Sequence, residues 1–238
     1  MPTDDDFDWI FFDCFNTLID DFDERGDETG LGSLPKLAVE LGFFAAQADF
    51  VAAYLVSRAY RRDGRETPLQ ERLAGTLSAA PGAHSAKEIA DAVPRLMARW
   101  EEEYARLIRP TPGVREMLAH WTPRKPAAVV SNFFLPRHPE LYLERFGLRS
   151  HFRFVVDSAH FGYRKPSPRI FLHALEQAGL SAEGASRVLF IGDRNDLDIV
   201  PARQIGMKVL HFNRGRSRGK VEPVAADVPA IHDWADFR

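Results

Sequence analysis

Apolar residues are distributed along this chain in two distinct ways. Short unbroken blocks, Trp9-Ile10-Phe11-Phe12, Ala127-Ala128-Val129-Val130 and Val188-Leu189-Phe190-Ile191, each run straight into polar turn residues. Blocks of that length and abruptness read as strands buried on both faces. Residues 152–156 and 208–212 fit the same description more loosely. Between residues 34 and 107 the spacing changes to steps of three and four, and helices are expected over 34–41, 45–62, 69–78 and 85–107. In the last of these, Ile89, Val93, Leu96, Met97, Trp100, Tyr104 and Leu107 fall on one face, and Pro94 is expected to kink or divide the run.

No strand-like run occurs between residues 20 and 109, so that block is expected to be all-helical. Beyond it, after a helix at 114–121, strand and helix alternate, which implies right-handed βαβ units on a parallel sheet. The expected architecture is α/β: a Rossmann-like parallel sheet core from residues 1–19 and 110–238, interrupted by an α-helical cap at 20–109. The acidic, glycine-bearing stretch 20–32 and the turn Pro110-Thr111-Pro112-Gly113 are the expected hinges.

Composition narrows the class without naming an activity. The 238 residues are 45% hydrophobic and 27% charged, ordinary for a globular chain with a core of its own. A net charge of −3 argues against a nucleic-acid surface, and the basic stretch 214–220 reads as a solvated loop. Cys14 is the single cysteine, which excludes an intrachain disulfide and suits a reducing compartment. No segment approaches the roughly 20 apolar residues a membrane span needs. The N-terminus is acidic, unlike a targeting peptide, so a cytoplasmic protein is expected. Nothing in the sequence indicates an oligomeric state.

Asp13 closes the first apolar block. In a parallel sheet, ligands bind just beyond the carboxyl ends of the strands, so Asp13 fits a nucleophile or a metal ligand; the same string also fits an Asx-turn that merely ends the strand. Three later segments follow it. Val129-Val130-Ser131-Asn132 ends a strand in small polar donors. Arg164-Lys165-Pro166-Ser167-Pro168 sets a lysine before a proline-punctuated helix start. Val188-Leu189-Phe190-Ile191-Gly192-Asp193 ends in Gly-Asp, with Asp196 and Asp198 close behind. Asp, Ser/Asn, Lys and Gly-Asp in that order resemble the four motifs of the haloacid dehalogenase (HAD)-like hydrolase superfamily, whose smaller helical caps follow the first motif.

The resemblance implies roles. Asp13 would be the nucleophile, and a carboxylate is already ionised at neutral pH. Thr17 would fix its loop, Ser131 and Asn132 would hold the oxygens of the transferring group, and Lys165 would balance its charge. The family's usual Asp-x-Asp-Gly-Thr carries its acid/base at the third position, where this chain has Phe15, and Asn16 replaces the glycine. Phe15 cannot transfer a proton, and an aromatic there resembles the 2-haloacid dehalogenases, whose halide leaves unprotonated. Against that, Asp193 is the metal-binding form of the fourth motif. Asp13, Asp193 and Asp198, with the main chain of Phe15, would hold Mg²⁺. Asp196 fits a direct or outer partner of the metal and a solvated loop acid equally well. Phe133 is a candidate substrate contact beside Phe15, Ser131 and Asn132, although Phe133-Phe134 also fits simple helix docking. Cys14 and His160 read as structural.

The reading favoured is a Mg²⁺-dependent phosphatase acting on a phosphorylated small molecule through an aspartyl-phosphate at Asp13. The alternatives are a 2-haloacid dehalogenase working through an aspartyl ester and a catalytically weak HAD fold kept for binding.

Overall fold

The computed structural model describes residues 3–22, 30–58, 63–214, 225 and 227–238. Its centre is β1 (Trp9–Phe12), where Ile10, Phe11 and Phe12 are wholly buried. Ile10 and Phe12 enter one apolar cluster and Phe11 the other, so the strand is covered on both faces as its unbroken apolar run requires. Each such side chain contributes about 1.5–3 kcal/mol by leaving water.

After β1 comes a short β2 (Ile19–Asp20), then four helices, α1 (Leu34–Glu40), α2 (Gln47–Arg58), α3 (Leu69–Ser78) and α4 (Ala86–Leu107). The chain returns through β3 (Arg109–Pro110) to α5 (Val114–Trp121), β4 (Ala127–Ser131), α6 (His138–Arg145), β5 (Val155–Asp157) and α7 (Ser158–Phe161). It closes with α8 (Pro168–Gln177), β6 (Val188–Gly192), α9 (Val200–Gln204), β7 (Lys208–Phe212) and β8 (Ala230–Ile231). The main sheet has six strands in the order β5-β4-β1-β6-β7-β8, every pair parallel, so the fold is the Rossmann-like α/β class expected. The chain runs outward from β1 to β4 and β5, then crosses back to β6. That reversal opens a crevice beyond the carboxyl ends of β4, β1 and β6.

Several details depart from the sequence expectation. The block 20–109 is not purely helical at its ends: β2 and β3 pair antiparallel, Ile19 against Pro110 and Asp20 against Arg109. This ribbon is two residues long, too short for any periodicity to reveal. Thr111 pins it, donating from N–H to Leu18 O at 3.0 Å and from Oγ1 to Thr17 O at 3.0 Å. Pro94 does not divide its helix; α4 runs 22 residues unbroken. Burial of Val93, Leu96, Trp100 and Tyr104 holds it together, while Leu107 of the expected face is exposed. The strand expected at 152–156 begins three residues later, and β8 was not foreseen. The described part of the second helix ends at Arg58, so its expected continuation to 62 lies outside the described residues, as do 23–29 of the expected hinge and 215–220 of the basic stretch.

A second contact joins the helical insertion to the core. Residues 64–69, between α2 and α3, lie along the loops before Lys165 and after Asn132. Glu66 N–H donates to Gly162 O at 3.0 Å, Arg164 N–H to Gly64 O at 3.0 Å and Leu69 N–H to Phe134 O at 2.8 Å, around an antiparallel bridge between Arg65 and Tyr163. Gly64 has φ +76°, and a Cβ there would stand 2.9 Å from the Cβ of Ser167, so only glycine permits this approach.

Candidate active site

Each strand end at the crevice contributes one charged or polar group. Asp13 follows β1, fixed by its N–H donating to Ile191 O at 2.8 Å. The turn after it needs a left-handed residue, and Asn16 supplies φ +64°, which asparagine tolerates better than most side chains; this is why it can stand where the family pattern has glycine. Thr17 Oγ1 donates to Asp13 Oδ2 at 3.2 Å. Lys165, 1% exposed, donates from Nζ to Asp13 Oδ1 at 2.6 Å and to Val130 O at 2.8 Å. The same ammonium pairs with Asp198 Oδ1 at 2.7 Å.

Asp13, Asp193 and Asp198 are all buried, and one carboxylate oxygen from each lies within 4.8 Å of the others. Asp198 reaches the cluster from a single π-helical turn, Asn195–Ile199, that follows β6. Its approach depends on Gly192, where a Cβ would meet the Asp198 carboxyl carbon at 2.6 Å. Arg194 N–H donates to Asp198 Oδ2 at 3.0 Å, and His211 Nε2 lies 2.9 Å from the carbonyl of Asp193. The cost of this crowding appears in the titration of its members. Burial pushes the Asp13 carboxyl up to about 6; Lys165 pulls it down and Asp198 pushes it up further. Burial works against the Lys165 ammonium, but Asp13 and Asp198 together outweigh it and raise its pKa to about 12. Three carboxylates around one ammonium leave an excess of buried negative charge, and an all-oxygen donor set of that kind fits a hard divalent cation.

Ser131 is wholly buried, and its Oγ has no hydrogen-bond partner among the described residues. A buried hydroxyl without a partner is costly unless a ligand supplies one. The Asn132 side chain is engaged with Lys165: Oδ1 accepts from Lys165 N–H at 2.7 Å and Nδ2 donates to Lys165 O at 2.9 Å. Its side-chain amide therefore clamps the lysine's backbone. Phe15 stacks on Phe133 with ring centroids 4.4 Å apart, and Tyr104 of α4 meets both rings. Beside them, Phe133, Phe134, Tyr54 and Trp100 line a cavity of about 210 Å³ between insertion and core, together with Arg72 and Arg164. Phe133 thus both lines this cavity and packs.

The remaining candidates are not in the cluster. Asp196 is exposed and pairs with Arg194 at 2.9 Å. His160 is exposed at the end of α7. Cys14 is buried, and burial pushes its thiol well up, as a packing residue requires. Arg214, from the basic stretch, pairs with Asp20. Glu66 and Arg72 escaped the sequence reading because Arg65-Glu66-Thr67-Pro68 looks like any charged loop before a helix.

Comparison with known proteins gives the family. A model of the haloacid dehalogenase-like hydrolases matches residues 7–206. The chain belongs to that family and is a hydrolase. It is 29% identical over 238 residues to pyrimidine 5'-nucleotidase YjjG of Escherichia coli (strain K12), covering 95% of this chain and 96% of that one. The fold is similar to that of a 2-haloacid dehalogenase from Pseudomonas syringae pv. Tomato DC3000, with TM-score 0.63 and 20% identity over 97% of this chain and 96% of the other. It is also similar to the HAD hydrolase YfnB of Bacillus subtilis, solved bound to magnesium, with TM-score 0.59 and 18% identity over 97% and 96% of the two chains.

Proposed function

We propose that this hydrolase is a Mg²⁺-dependent phosphatase of phosphorylated small molecules, with residues 20–109 acting as a cap over the site. The observation that carries the reading is the cluster Asp13, Asp193, Asp198 around Lys165: three buried carboxylates against one ammonium call for a cation, which halide release does not need. Asp13, Asp193, Asp198 and the main-chain carbonyl of Phe15 would hold the cation, which supplies charge neutralisation for an incoming phosphate. The kinship with a nucleotidase supports a phosphate ester as substrate.

In this mechanism the Asp13 carboxylate attacks phosphorus, the ester oxygen departs with the bonding pair, and an aspartyl-phosphate forms. Lys165 keeps one Asp13 oxygen oriented and offsets charge on the phosphoryl group, while Thr17 steadies the other oxygen. Ser131 Oγ has hydrogen-bonding capacity for a phosphoryl oxygen. Asn132 acts through Lys165, holding its backbone. Water then attacks the acyl phosphate and regenerates Asp13. Phe15 gives the departing oxygen no proton, so esters with acidic leaving groups are favoured. That ring, stacked on Phe133, is also the feature that keeps 2-haloacid dehalogenation as the second reading.

A substrate panel scored for phosphate and halide release, with and without Mg²⁺, tests the reading. Phosphate release that stops on chelation is expected; halide release that survives chelation reverses the assignment. Asp13→Asn is expected to lower turnover by roughly 10⁴-fold or more with the melting temperature retained, because the amide is nearly isosteric but not nucleophilic. Retained activity in the folded variant removes every covalent mechanism at Asp13.

A further inference from the structure

The loop between α2 and α3 carries a buried carboxylate, Glu66, whose partners belong to both the insertion and the core. Its side chain is 2% exposed. Oε1 accepts from Arg72 Nη2 at 2.8 Å and from Thr67 N–H at 3.0 Å. Oε2 accepts from Ser158 Oγ at 2.7 Å, and Arg164 Nε stands 3.8 Å away. A carboxylate taken out of water is tolerated only when paired this fully.

The Ser158 bond carries the consequence. A serine hydroxyl has one proton, and the short contact to an anionic acceptor takes it in preference to the Phe133 carbonyl at 3.1 Å. Ser158 Oγ is then left to accept from Phe133 N–H, at 3.0 Å, and its bond to an anion makes it a better acceptor. Phe133 follows Asn132, whose amide clamps both ends of the Lys165 backbone. One path of hydrogen bonds therefore runs from the insertion through Glu66, Ser158, Phe133 and Asn132 to Lys165.

We propose that Glu66 is a positioning residue that, through Ser158, holds the 131–133 loop where it presents Ser131 and anchors Lys165, so that the site is complete only while the insertion is seated on the core. The role in turnover rests on the phosphatase reading; the positional role does not.

Glu66→Gln keeps the size of the side chain and removes its charge. Its kcat is expected to fall by about 10²-fold with KM little changed, as for a misplaced catalytic group outside the reaction. Ser158→Ala leaves the arginine pairs intact and is expected to lose kcat comparably. The double variant is expected to be no worse than the worse single one, because both interrupt one path; additive losses overturn the path. A second readout does not depend on turnover: amide exchange at Phe133 and Lys165 is expected to quicken in Ser158→Ala at unchanged melting temperature, and in Glu66→Gln, which also loses stability by stranding the buried Arg72, by more than at core amides far from the path. Unchanged exchange overturns the proposal. Quickened exchange in an enzyme that releases no phosphate from any substrate leaves the positioning role standing and removes the phosphatase reading instead.

Discussion

Phe15 occupies the position where the resemblance to the family motif implies an acid, and its surroundings show what the ring does. It is 8% exposed, stacked on Phe133 and edged by Tyr104 and Tyr142. Phe15→Asp restores a proton donor but also removes this packing, worth about 3–5 kcal/mol by analogy with phenylalanine truncation in cores. Phe15→Asn loses the same packing and gains no acid, so the ratio of the two variants isolates proton transfer. In a folded, metal-loaded enzyme, Phe15→Asp is expected to exceed Phe15→Asn on alkyl phosphates by about 10²-fold, and by far less on aryl phosphates, whose leaving groups need little help. Equal loss of both substrate types in the two variants assigns the ring itself a function as a wall of the substrate cavity and favours the dehalogenase reading.

At the scale of elements, the motif strands were legible and the seams between them were not. The unbroken apolar runs announced β1, β4 and β6 because burial on both faces leaves no room for polar positions. The groups that end those strands converge because parallel strands put their carboxyl ends on one side. The ribbon of β2 and β3, the π-helical turn at 195–199 and the Gly64 approach had no sequence signal, since each depends on partners distant along the chain. Gly192 shows the difference. It read only as part of a Gly-Asp motif, while the structure shows that a Cβ there would overlap Asp198. Gly192→Ala is therefore expected to keep the sheet but displace Asp198, weakening Mg²⁺ binding by about 10- to 100-fold in calorimetry. Unaltered affinity would mean Asp198 is not a ligand. The cluster also predicts the sign of the pH dependence. Without metal, Asp13 titrates near 6, above the ordinary carboxylate range, so below that pH a cation must displace a proton. Mg²⁺ affinity is expected to fall by up to about tenfold per pH unit below 6 and to level off above it, with proton release visible as a buffer-dependent binding enthalpy. A flat affinity between pH 5 and 8 would remove Asp13 from the donor set.

For the whole molecule, the insertion meets the core at the β2/β3 ribbon, at the seam of residues 64–69, and through Trp100 and Tyr104 of α4, whose rings pack on Phe15, Phe133, Phe134 and Tyr142. The β2/β3 ribbon is continuous chain on both sides and can only flex. The seam at 64–69 is held by three main-chain hydrogen bonds and the buried Glu66, all of which can part and reform. None of the described helices α1–α4 is threaded through the main sheet, so under the proposed cap role the block is expected to swing about the ribbon once the seam and the ring contacts of α4 part. Tyr54 of α2 and Trp100 of α4 line the cavity beside Asn132 and Phe133, so a substrate bound there would need the seam to open in every cycle. Arg65 and Tyr163 face each other across it as an antiparallel bridge, in the pairing where the backbones come closest, within the span of a disulfide. Cys14, the single native cysteine, is buried and offers no competing thiol. The double variant Arg65→Cys/Tyr163→Cys is therefore expected to turn over normally when reduced and to lose activity by about 10-fold or more on oxidation, recovering with dithiothreitol, because a closed lid withholds substrate and product from exchange. Amide exchange at Glu66, Leu69 and Arg164 is expected to slow in step with the disulfide. Full activity in the oxidised enzyme would establish the seam as a permanent part of the fold and confine any opening to the helices beyond it.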